Sequence, residues 1–266
     1  MRGISPAVKH ILIINVIFWI GTLSIARGTL FENLFAYHFV TSDLFKPWQI
    51  FTHMFMHAGY VDTPGGGETI YFQHILFNMF GLWMFGTPVE RFLGTKRFVF
   101  FYISAGLGAL FIHAGWDYFQ FQTELSKLIS VGFDKESILQ ILNEGRLKHP
   151  EYSKWVAVLG DDGFQTLGRN FFGTLVGASG ALMGVLVAFG VLFPETPLML
   201  LFLPIPIKAK YFIPGILLID LFSMLSGYSL FSPSNTAYLA HLGGALFGFL
   251  MVWYWKKNSF NQNRWN

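Results

Sequence analysis

The stretch Gly177-Ala178-Ser179-Gly180-Ala181-Leu182-Met183-Gly184 places one hydroxyl among glycines and alanines, at the head of a long apolar run. Where a helix begins, its first backbone N–H groups have no intrahelical partner and point outward. Those donors, together with the positive end of the helix dipole, favour a developing oxyanion. Ser179 is therefore a candidate nucleophile. His241, in Ala240-His241-Leu242-Gly243-Gly244, is the candidate base, because a buried imidazole stays neutral and takes a proton from a hydroxyl. His74 and Asn78 stand four residues apart, on one face of a helix, where an imidazole and an amide can both donate to an oxyanion.

Each of these residues also has a plainer reading. Small residues are ordinary where membrane helices approach closely, so Ser179 reads equally as packing. Gly180 with Gly184, and Gly244 with Gly248, form two small-xxx-small faces, which predicts that the helices bearing Ser179 and His241 touch. An ionisable group inside an apolar span is costly and functional by default; the alternative for His241 is a bond to a helix carbonyl. His74 and Asn78 read equally as hydrogen bonds that hold helices together. Asp220 is the one carboxylate deep in an apolar run, and it reads as structural, which leaves a two-residue Ser/His dyad. His53 and His57, four apart, could be drawn with His74 as a zinc site. The sequence has no His-Glu-x-x-His and no acid between them, so neither a metal nor any other cofactor is expected.

Composition sets the solvent. Hydrophobic residues make up 53% of the 266 and charged residues only 12%, with 31 Phe. Soluble domains carry about a quarter charged residues, so this chain cannot cover a globule with polar surface, and lipid must surround it. The length suffices for about six spans of ~20 residues each plus loops. A net charge of +3 gives no argument for nucleic acid. The absence of cysteine excludes disulfides, thiolate–metal sites and a thiol nucleophile.

Taken in order, a short basic N-terminus precedes span 1, about 10–26. Residues 27–73 form a long aromatic-rich loop expected to lie in the membrane interface, with a turn at 62–68. Span 2 is expected at about 71–88, span 3 at 98–116, span 4 at 171–193, span 5 at 212–225 and span 6 at 237–255. The apolar stretch 198–207 could extend one of them. Residues 117–172, with eight acidic and six basic side chains, read as a soluble insertion. It has two short helical pieces, Gln122–Val131 and one that opens on Asp134 as N-cap and stops at Gly145.

The N-terminus, 89–97, 194–211 and the C-terminal tail together hold ten Lys and Arg; the opposite short connection, 226–236, holds none. By the positive-inside rule the basic side is cytoplasmic, with both termini, and Ser179 lies toward the other face. No Arg-rich, acid-poor presequence is evident, so a bacterial inner (cell) membrane is the expected location.

Taken together, Gly177-Ala178-Ser179-Gly180, His74-x-x-x-Asn78 and Ala240-His241 with Gly244 and Gly248 resemble the signature of the rhomboid intramembrane serine proteases. So do Phe51-Thr52-His53-Met54-Phe55-Met56-His57-Ala58-Gly59, Pro88-Val89-Glu90-x-x-Leu93-Gly94, and Pro206-x-Lys208 with Leu218-x-Asp220. The resemblance covers roughly 45–116 and 171–255. It implies an all-α bundle of six transmembrane helices, one domain over 1–266, with a water-accessible cavity open to the outward face. It also implies Ser179 as nucleophile and His241 as base, with His74, Asn78 and the Ser179 backbone N–H as oxyanion hole. Gly177, Gly180, Met183 and His57 take supporting places. Substrates would be transmembrane proteins whose helices unwind near small residues. The chain departs from the family's pattern in three ways. Gln49 stands where an arginine often follows Trp48, and Met183 where an aromatic often packs on the histidine. Residues about 60–72 and 117–172 are additional, and are expected to rim the cavity mouth. The competing readings are a catalytically silent client-binding relative, which would lack the serine or histidine, and a small transporter, for which no internal repeat is found.

Overall fold

Backbone polar groups surrounded by lipid must be satisfied within their own segment, which leaves helices for long apolar runs. The computed structural model describes residues 3–25, 28–63, 66–146, 148–200, 203–228 and 237–262, and most of them are helical. Helix α1 (Pro6–Ser24) begins at a proline, whose missing N–H is no loss in a first turn. The first loop then carries α2 (Thr29–Phe35), α3 (Gln49–Thr52) and a 3₁₀ turn at His53–Phe55, followed by a hairpin of β1 (Tyr60–Asp62) and β2 (Glu68–Ile70) that pairs Tyr60 with Ile70. Helix α4 (Phe72–Gly81), a π turn (Leu82–Gly86) and α5 (Thr87–Leu93) follow end to end.

Helix α6 (Thr95–Ser130) has 36 residues. At 1.5 Å each it is about 54 Å long, well beyond the ~30 Å of a hydrocarbon core. The helix therefore runs on well past Trp116, and the first helical piece expected in the insertion, Gln122–Val131, is the far end of this same helix. Helix α7 (Lys135–Asn143) starts as expected at Asp134, whose carboxylate accepts the Ser137 N–H. Helix α8 (Pro150–Phe172), bent at Gly160, is longer than any element expected there.

Helix α9 (Ser179–Leu192) begins at the serine itself, so the fourth span does not start at Phe171. Phe171 instead ends α8, and residues 173–178 are non-helical. The stretch 198–207 extends no helix; it contributes to a hairpin of β3 (Pro197–Leu200) and β4 (Leu203–Lys208). Helices α10 (Ala209–Ser226) and α11 (Tyr238–Gln262) complete the chain. Among the described residues α1, α6, α10 and α11 are long and apolar enough to cross a membrane, and α9 is a shorter apolar helix. Most of the expected 226–236 connection lies outside the described residues.

Of the apolar clusters that hold these parts, two are large. The main one gathers Val8, Leu82, Phe98, Phe101, Val185 and Ala188 from four segments. The second lies in the insertion and joins Phe121, Leu125, Ile138, Trp155 and Phe171 to Phe39 of the first loop. A hydrogen bond from the Asp43 N–H to Asn143 Oδ1 (2.9 Å) fastens the same loop to α7. At the opposite end, Glu90 accepts the N–H groups of Ala7 and Val8 (2.9 Å each) and the Thr95 hydroxyl (2.8 Å), so α5 caps α1.

Candidate active site

The two small-residue faces meet, as their spacing predicts. A Cβ added at Gly184 would lie 3.0 Å from the Gly244 carbonyl oxygen and 2.6 Å from Ala105 Cβ. One added at Gly244 would strike the backbone of Gly180, and one at Gly248 the backbone of Gly184. Helices α9 and α11 therefore touch backbone to backbone at Gly180, Gly184, Gly244 and Gly248, and α6 sets the methyl groups of Ala105 and Ala109 against Gly184 and Gly180. This contact sets Ser179, at the head of α9, beside the turn of α11 that carries Ala240 and His241.

The approach to the serine is extended and pinned. Tyr37 and Leu175 exchange both backbone hydrogen bonds (3.0 Å each), and Gly177 N–H donates to the His53 carbonyl (3.0 Å). Gly177 sits at φ +126°, a conformation open to glycine and strained for other residues. A Cβ there would lie 3.2 Å from His74 Nε2 and 3.5 Å from Ser179 Oγ. Gly177 thus lies between the Ser179 hydroxyl and the His74 imidazole, and its bare Cα leaves room for both.

His74 Nδ1 accepts the Ala58 N–H (3.2 Å). The neutral ring therefore carries its proton on Nε2, the nitrogen near Ser179, where it is a donor. The ring is stacked on Tyr71 and set edge-on to His57. His57 Nε2 donates to Asn15 Oδ1 (2.8 Å), and Asn15 donates to the Ile11 carbonyl (2.7 Å), so His57 ties α1 to the ring that supports His74. Asn78, one turn below, donates through Nδ2 to the His74 carbonyl (2.8 Å), and its buried Oδ1 has no hydrogen-bond partner among the described residues. His53, buried, donates through Nδ1 to the Gln49 carbonyl (3.0 Å). Met183 packs partly buried against the main core.

Asp220, the carboxylate expected to be merely structural, faces His241. His241 Nδ1–H donates to Asp220 Oδ2 across 2.8 Å, with both side chains buried. Asp220 is thus more than a structural carboxylate: it holds the His241 imidazole in the tautomer that leaves a lone pair on Nε2. The signal was in the sequence, since a carboxylate at membrane depth has to be paired with something.

Gln49 resolves the missing arginine. Its side chain is fully buried; Oε1 accepts from the N–H groups of Lys46 (3.0 Å) and His38 (3.4 Å), and Nε2 donates to the carbonyls of Asn33 and Leu44 (2.9 Å each). One neutral amide, with two donors and two acceptor lone pairs, meets four backbone groups of the first loop.

A Rhomboid domain family model matches residues 44–133 and 153–258, on both sides of a gap that holds α7. The chain belongs to the rhomboid family. Among its relatives is the presenilin-associated rhomboid-like protein, mitochondrial, of Rattus norvegicus, 30% identical over 182 residues, which are 68% of this chain and 33% of the relative. The human protein of that name is 29% identical over the same shares. Rhomboid protein 1, mitochondrial, of Saccharomyces cerevisiae is 27% identical over 186 residues, 70% of this chain and 39% of that one. This rhomboid thus matches about a third of the length of these relatives. All three are mitochondrial by name, which overturns the expected bacterial inner membrane with its cytoplasmic termini. That expectation rested on the composition of the N-terminal residues, which does not fix the membrane.

Proposed function

We propose that this rhomboid is an intramembrane serine endopeptidase that cuts peptide bonds in or beside transmembrane helices of other membrane proteins, in a mitochondrial membrane. The observation that carries the reading is the His241–Asp220 hydrogen bond on a helix in backbone contact with the one that Ser179 begins. In this reading α1, the run 72–93, α6, α9, α10 and α11 are six spans around a water-filled cavity that opens on the Ser179 side.

Ser179 Oγ attacks the scissile carbonyl carbon and gives its proton to His241 Nε2, while Asp220 steadies the imidazolium through Nδ1–H. The carbonyl oxygen becomes an oxyanion that accepts from His74 Nε2–H, the Ser179 backbone N–H and the second N–H of Asn78 Nδ2. Collapse breaks the C–N bond, and His241 passes its proton to the leaving amine. Water, deprotonated by the same imidazole, then attacks the acyl ester and frees Ser179.

The test is cleavage of a single-span reporter by purified protein in liposomes. Wild type cuts within or just outside the reporter's helix, and Ser179→Ala and His241→Ala lose essentially all activity. Asn78→Ala loses up to ~10²–10³-fold, the worth of one oxyanion donor. If wild type and Ser179→Ala bind several reporters equally and cut none, the chain is a client-binding rhomboid and the proposal falls.

A further inference from the structure

A cavity of about 790 Å³ opens beside the approach to Ser179, on the side of the insertion. Its place in the fold ties it to the site. Leu175 in its wall stands four residues before Ser179, so at most ~14 Å of extended chain separates them. Tyr238, also in the wall, lies one helical turn before His241, with ring centroids 6.5 Å apart. Ser223 comes three residues after Asp220 on α10.

The far wall is made by the insertion. The projecting end of α6 supplies Asp117 and Gln120, and the end of α8 supplies Arg169 and Asn170. Asn170 Nδ2 donates to Gln120 Oε1 at 3.5 Å, a long bond that leaves both amides with capacity for another partner. The rings of Tyr37 and Trp116 stand beside these charged and amide groups, a mixed lining suited to a peptide rather than to a lipid tail.

The charges differ in how they are engaged. Asp117 Oδ2 pairs with His113 Nε2 at 3.3 Å, one turn back on α6. Arg169 is exposed, and its one side-chain hydrogen bond among the described residues is to Thr166 Oγ1 at 3.3 Å. Asp117 lines the same cavity and forms no salt bridge with Arg169 among the described residues. Most of the guanidinium's five donors are thus unused, in the fork geometry that fits a carboxylate.

We propose that this cavity is a second recognition site for the substrate. It takes the extramembrane stretch next to the scissile bond and pairs an acidic side chain there, a few residues from the cut, with Arg169. The proposal rests on the protease reading above. It also gives the insertion a role in selection: the helices that project from the membrane place one guanidinium beside the catalytic groups.

The experiment uses single-span reporters carrying Glu, Gln or Lys at each of the positions two to six residues outside the scissile bond. They are cleaved in liposomes by wild type and by Arg169→Glu. Wild type should prefer Glu over Lys at one or two adjacent positions by about 3- to 10-fold in kcat/KM, the size expected of one part-exposed charge pair, with most of the effect in KM. Arg169→Glu should reverse the preference at those positions and at no others, and added salt should flatten it. Fluorophosphonate labelling of Ser179 at the wild-type rate in Arg169→Glu shows that the catalytic groups are intact. If wild type cuts all reporters in a Ser179-dependent way with no charge preference, or Arg169→Glu leaves the preference unchanged, the recognition site is overturned while the protease reading stands. If no reporter is cut and Ser179 does not label, the protease reading fails and takes this one with it.

Discussion

The carboxylate of Asp220 does for His241 what no neighbour in sequence could, since α10 and α11 must first lie side by side. Asp220→Asn keeps the shape but offers an amide in place of the acceptor. When its N–H₂ faces the ring, the imidazole proton moves to Nε2 and the lone pair is turned away from Ser179. The kcat for a reporter should fall by about 10²- to 10⁴-fold, with KM and the unfolding temperature close to wild type. A variant that unfolds early yet turns over normally when folded would make Asp220 structural after all. The contact between the helices that carry Ser179 and His241 was legible in the spacing of Gly180, Gly184, Gly244 and Gly248. That Asp220 needs a partner was legible as well; that the partner is His241 was not, because this depends on the axial register of two helices. Gln49 was opaque for another reason: its four partners are main-chain groups spread over Asn33–Lys46, and main chain leaves no mark in a sequence.

Among the elements, helix interiors were easier to read than helix ends. Phe171 and Phe172 looked like the start of the fourth span, since hydropathy cannot say whether a phenylalanine faces lipid or a partner. Phe171 belongs with Phe39 and Phe121 in the insertion's core, and its helix ends there. The start of α1 was misplaced because the residue that caps it is 83 positions away from Ala7, on α5. That contact has a measurable consequence. Glu90→Ala leaves the buried N–H groups of Ala7 and Val8 and the Thr95 hydroxyl without their acceptor, and should cost about 2–4 kcal/mol. Denaturant unfolding in micelles reads this directly, and Glu90→Gln, which keeps one acceptor oxygen, should fall between the two. An unchanged midpoint in Glu90→Ala would show that solvent or headgroups serve those donors equally well.

For the whole molecule, the question is which parts share a side of the membrane. The ten Lys and Arg of the N-terminus, 89–97, 194–211 and the tail argue that these segments lie together. The ties of the first loop to the insertion, through Phe39 and the Asp43–Asn143 bond, argue that those two lie together as well. Six spans put the two groups on opposite faces, and any odd number would part the termini. The chain has no cysteine, so single cysteines report cleanly. Thr41→Cys and Ser153→Cys should react in sealed vesicles with a membrane-impermeant maleimide under the same condition, intact or opened. Lys9→Cys, Lys96→Cys, Lys208→Cys and Lys256→Cys should react under the other. Labelling of Lys9→Cys and Lys256→Cys from different sides would remove one span from the count. Labelling of Ser153→Cys together with Lys208→Cys would turn the insertion to the basic face, away from Ser179, and leave the cavity beside the serine with no wall from α8.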